Sequence, residues 1–90
     1  MQKLKQWFGR FFGLPPHGKI KGDSVRLFNL PEGTNHISII DRKTKDIYFN
    51  TVTRYDELTV VIPKGAGVIV HIIPQKGSLK MSTLEIGGDS

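Results

Sequence analysis

"LTVVIPKGAGVIVHII", residues 58–73, decides the fold. In its first half Leu58, Val60 and Ile62 alternate with Thr59 and Val61, the period-two pattern of a strand with one buried face. After the turn "KGAG" (64–67), "VIVHII" (68–73) is apolar on both faces, which suits a central strand. Two strands joined through a glycine turn set the expectation for the rest of the chain.

Working outward, "PQKGS" (74–78) leads into "LKMSTLEI" (79–86). That run loses its alternation at Ser82-Thr83, where a β-bulge is expected. Upstream lie "SVRLFNL" (24–30), "HISII" (36–40) and "IYFNTVT" (47–53), separated by "PEGTN", "DRKTKD" and then "RYDE". "DRKTKD" has the makings of a hairpin turn. Runs rich in Val, Ile, Thr, Tyr and Phe between Gly, Pro, Asp and Lys clusters indicate about six antiparallel strands, seven if "KIKG" (19–22) contributes. The fold class is therefore mainly β: a small antiparallel sandwich or partly open barrel over residues 24–88.

The N-terminus differs in kind. "KLKQWFGRFFGLPP" (3–16) mixes Trp7, Phe8, Phe11 and Phe12 with Lys3, Lys5 and Arg10, and has no acid. Wound as a helix over residues 1–14, Met1, Leu4, Trp7, Phe8, Phe11, Phe12 and Leu14 share an arc of about 160°, with the polar and glycine positions opposite. Gly9 and Gly13 each cost about 1 kcal/mol relative to alanine. Such a helix is marginal alone and is expected to form on docking. Pro15 and Pro16 end it, and residues 15–23 read as a Pro/Gly linker.

Charge follows the same division. The net charge is +5. Lys3, Lys5, Arg10, Lys19 and Lys21 precede the first acid, Asp23, and from there eight basic residues face eight acids. A basic end on a neutral body is expected to meet something acidic. The chain has no cysteine, hence no disulfide framework and no thiolate metal site, which fits a reducing compartment or a virion. No run reaches the roughly 18 to 20 apolar residues of a membrane span. Arg10 interrupts the early apolar stretch and no A-x-A-like site follows, so a cleaved secretory signal is not expected.

No pattern points to catalysis or a cofactor. His17, His36 and His71 lack i,i+4 or i,i+2 spacing, so no metal site is expected. The serines lack a G-x-S-x-G elbow. Asp41 and Asp46 frame a turn, and "KGAG" lacks the helix and Lys-Ser/Thr of a phosphate loop. A single-strand-binding barrel would need aromatics and positive charge on one sheet face. Phe28, Tyr48, Phe49 and Tyr55 with Arg26, Arg54, Lys43 and Lys45 supply both residue types, but the body's zero net charge opposes phosphate binding.

With its strand spacing and the opening V-x-L-x-N-L-P-x-G (25–33), the body loosely resembles small Greek-key and transthyretin-like sandwiches of bacteriophage structural and accessory proteins. The expected function is non-enzymatic: a structural or accessory component of a larger assembly, of viral type. It attaches to a protein assembly, or to an anionic membrane surface, through Lys3, Leu4, Lys5, Trp7, Phe8, Arg10, Phe11 and Phe12. The alternative is a small β-barrel protein that binds single-stranded nucleic acid, and the competing reading of the arm is a helix that packs its aromatic face on its own β domain as a lid.

Overall fold

The computed structural model describes residues 15–75 and 80–87. Seven strands form two antiparallel sheets: β1 (His17–Lys21), β2 (Ser24–Phe28), β3 (Asn35–Asp41), β4 (Ile47–Thr53), β5 (Leu58–Val61), β6 (Val68–Pro74) and β7 (Ser82–Ile86). One sheet has the order β1-β2-β5 and the other β4-β3-β6-β7. Of the two expected architectures, the two-sheet arrangement is present. The helix expected over residues 1–14 lies outside the described residues.

The core follows from the alternation. Val25, Leu27 and Val60 of the three-stranded sheet meet Ile37, Ile39, Val68, Val70 and Ile72 of the four-stranded one, with Leu30 and Ile62 closing the ends. β6 is central, between β3 and β7, as its doubly apolar run requires. Its even-numbered residues Val68, Val70 and Ile72 are fully buried, while Ile69 and His71 sit half-buried on the outer face. Asn35 is also fully buried and donates from Nδ2 to the Pro31 carbonyl at 2.7 Å. That bond ties the loop after β2 to the start of β3.

Two details differ from the sequence reading. β1 occupies most of the stretch read as a linker and is the seventh strand that "KIKG" suggests; it pairs with β2 along its whole length, from His17 opposite Phe28 to Lys21 opposite Ser24. Gly18 and Ile20 point inward, and Gly18 lies against Leu27 and Ile86, where β1 meets β7. No bulge is present at Ser82-Thr83: β7 begins at Ser82 and pairs with β6 in unbroken register. The alternation breaks there because the strand starts there. The bulge falls instead in the β3–β4 hairpin, where the register shifts between Ile39 and Ile40 and inserts Tyr48.

Tyr48 explains that hairpin. Its hydroxyl donates to Asp41 Oδ2 at 2.6 Å, while Asp41 Oδ1 accepts from the backbone N–H groups of Lys43 and Thr44 at 2.7 and 2.9 Å. Lys45 adopts φ 69°, closing the turn. The Tyr48 hydrogen bond, then the two backbone donors, lower the Asp41 carboxyl from 3.8 to about 2. The same carboxylate raises Tyr48 from 10.0 to about 12.

Asp41 therefore contributes stability above pH 3.8 that is lost as the pH falls through about 2. Tyr48 contributes stability below pH 10.0 that is lost as the pH rises through about 12. Tyr48→Phe removes the main cause of the Asp41 shift. Urea unfolding across a pH series should show this variant less stable near neutrality and less sensitive to acid between pH 3.8 and 2. An unchanged acid slope would exclude this clasp as its source.

Candidate interaction surface

Strand alternation gives the three-stranded sheet a distinctive outer face. β1 projects His17, Lys19 and Lys21 outward while Gly18 and Ile20 turn in. On β2, Val25 and Leu27 are buried, so Ser24, Arg26 and Phe28 face out. The antiparallel register places Lys19 opposite Arg26 and His17 opposite Phe28.

Phe28 organises the cations. The His17 ring stacks on it with centroids 5.0 Å apart and planes at 23°. The Arg26 guanidinium lies 4.9 Å from the ring centroid and Lys19 Nζ 5.8 Å from it. These distances suit attraction between a cation and the negative face of the ring. Arg26 also meets Glu57 at 3.5 Å, so part of its charge is answered within the chain. Among the described residues Lys19 and Lys21 enter no ion pair. The face is basic, aromatic and open to solvent.

The remaining polar features have structural roles. Arg42 donates to the Gly87 carbonyl at 2.8 Å and reaches Glu85 at 3.4 Å, fastening the β3–β4 turn to the end of β7. Beside it is a shallow recess of ≈ 360 Å³ lined by Ile20, Asp41, Arg42, Ala66 and Gly87 among others. His71 Nδ1 lies 3.2 Å from Thr83 Oγ1 on the outer face of the other sheet. Among the described residues no three His, Cys, Asp or Glu side chains come together as a metal site. No described helix is long and apolar enough to cross a membrane.

Lys3, Leu4, Lys5, Trp7, Phe8, Arg10, Phe11 and Phe12 all lie outside the described residues. The residues weighed for nucleic acid are scattered. Phe28 and Arg26 share the outer face of one sheet, Tyr48 and Phe49 pack against the core, and Tyr55 is exposed with Arg54 in the β4–β5 loop. Lys19 and Lys21, read only as excess charge, are the pair that the fold adds to Arg26. The signal that could have found them is the alternation His17-x-Lys19-x-Lys21 around Gly18 and Ile20. No family model matches the chain, and no curated protein or solved structure is found to be similar to it.

Proposed function

We propose that this chain is a non-enzymatic attachment protein, a structural or accessory component of a larger assembly such as a virion. It docks on a protein surface through residues 1–14 as a basic amphipathic helix. One observation supports extending that docking surface onto the body: β1, which starts at His17, carries Lys19 and Lys21 outward beside Arg26 and Phe28. The positive character of the arm thus continues onto a sheet face. Apolar side chains of the arm hold the partner, and the lysines steer the approach.

The grouping of Lys19, Arg26 and His17 around Phe28 also favours a second reading, single-stranded nucleic acid lying across this face, with bases near the aromatic ring and phosphates on the cations. The two readings separate in one experiment. The full chain and a form spanning 15–90, which retains β1, are compared for pull-down of assembly proteins and for salt-dependent binding of single-stranded DNA. Attachment through the arm predicts capture by the full chain alone. DNA binding retained by residues 15–90, and weakened by Lys19→Gln with Arg26→Gln, would transfer the function to the sheet face. An anionic vesicle series tests a membrane as the surface: gain of helicity and a blue-shifted Trp7 emission on vesicles would replace the protein partner with a membrane.

A further inference from the structure

The sandwich has four edge strands, and three of them carry devices along their paired length that discourage strand addition. β1 has Gly18 and two lysines, β5 is only four residues long, and β7 is five residues long with Glu85. β4 has only the bulge at Tyr48, one residue from its start. Its seven residues, Ile47–Thr53, contain no proline, glycine or charge, and beyond its bulge Phe49–Thr53 pairs regularly with β3. Nothing among the described residues pairs with its other side. The strand and the loop after it also hold three of the large exposed apolar side chains, Ile47 at 64%, Val52 at 53% and Tyr55 at 72%.

We propose that β4 is a dimerisation edge, on which a second copy of this chain pairs β4 to β4 antiparallel about a two-fold axis near Asn50, joining two four-stranded sheets into one of eight strands. Charge complementarity selects this occupant and orientation. Asp46 immediately precedes β4 and Arg54 immediately follows it. An antiparallel copy brings Asp46 beside Arg54, twice by symmetry, whereas Asp56 and Glu57 have already crossed to the other sheet, where Glu57 meets Arg26. A parallel copy would set like ends together. Between the two bulges face alternation is kept, since Phe49 falls opposite Thr51 on the inner side, an aromatic–β-branched pair.

Shape agrees with charge. A shallow recess of ≈ 470 Å³, lined by Thr34, Val52, Thr53, Arg54 and Tyr55, sits at the far end of β4. In the proposed register Ile47 of the second copy lies at its rim, so the exposed isoleucine of each copy finds apolar cover on the other. This inference does not depend on the arm. β4 is at the opposite end of its sheet from β7, which β1 contacts, so a dimer would set its two β1 strands at its two flanks.

Sedimentation velocity of the full chain over a range of concentrations tests the proposal. A monomer–dimer equilibrium is expected. Val52→Lys, which aims a charge across the joint, should raise the dissociation constant by roughly tenfold or more without changing the monomer's melting temperature. Asn50→Lys serves as a second variant should Val52→Lys fold poorly. Asp46→Arg and Arg54→Asp should each weaken the dimer, and an equimolar mixture of the two should restore it, because only the mixed pair sets opposite charges across both ends. A chain that stays monomeric throughout overturns the proposal. So does a dimer indifferent to all these changes and lost in a Phe8→Ser/Phe11→Ser form, since it would then be held by the arm.

Discussion

Replacing Gly18 by valine is expected to lower the melting temperature of the chain by roughly 10–20 °C. A Cβ at this position would lie 2.7 Å from Leu27 Cδ2, 2.8 Å from Ile86 Cδ1 and 2.9 Å from the Arg26 carbonyl oxygen. None of the three can yield cheaply. Leu27 is 1% exposed and fixed in the core, Ile86 is held on β7, and the Arg26 carbonyl belongs to the backbone that pairs with β1. Overpacking of this kind costs about 1–3 kcal/mol for small insertions, and valine adds three carbons.

A domain of this size has only about 5–15 kcal/mol in total, so the loss is a large share. Thermal unfolding followed by circular dichroism measures it. Lys19→Ala, one residue away but facing solvent, should stay within about 0.5 kcal/mol of the parent. Combining Gly18→Val with Ile86→Ala should cost less than the sum of the two single changes, because truncating Ile86 vacates part of the contested space. A Gly18→Val protein that melts like the parent would mean that β1 does not pack between β2 and β7.

The same residue shows where the sequence is transparent and where it is not. β5 and β6 are legible because their burial repeats the letters: Val60 and Ile62 are buried while Val61 is exposed, and Val68, Val70 and Ile72 alternate with Ile69 and His71. The β3–β4 hairpin is legible from the polar run between two β-rich ones. β1 is hidden because a strand that needs glycine for close approach has the letters of a connector. "PPHGKIKG" offers two prolines, two glycines and one large apolar residue, Ile20, and only the fold reveals that Gly18 is small because two sheets meet over it. The bulge at Tyr48 was equally unreadable. It goes with a hydroxyl reaching Asp41 across the turn, and a period-two pattern carries no sign of such a contact. The basic excess was visible as charge in residues 1–22, but its placement on an outer sheet face depends on a strand that the pattern did not delimit.

Replacing Phe8 and Phe11 together by serine is expected to release the protein from its assembly partner while leaving the melting temperature of the body unchanged. The two rings lie three residues apart, one helical turn, and with Leu4 and Trp7 they form an i, i+3, i+4, i+7 set of anchors. Full burial of each large apolar side chain is worth roughly 1.5–3 kcal/mol, so losing two removes several kcal/mol from a total already reduced by ordering and association costs. That is a loss of at least about a hundredfold in affinity. Lys3→Gln with Lys5→Gln should act differently, because exposed ion pairs contribute about 1 kcal/mol or less each. This pair should slow association and flatten its salt dependence while leaving the dissociation rate near the parent value. Surface plasmon resonance at several ionic strengths separates the two effects. The body, with its own core and its own β1, has no need of the arm's rings in this reading. If the double phenylalanine change lowered the melting temperature and left association untouched, the aromatic face would belong to the sandwich as a lid, and attachment would have to be sought on the Lys19–Arg26 face.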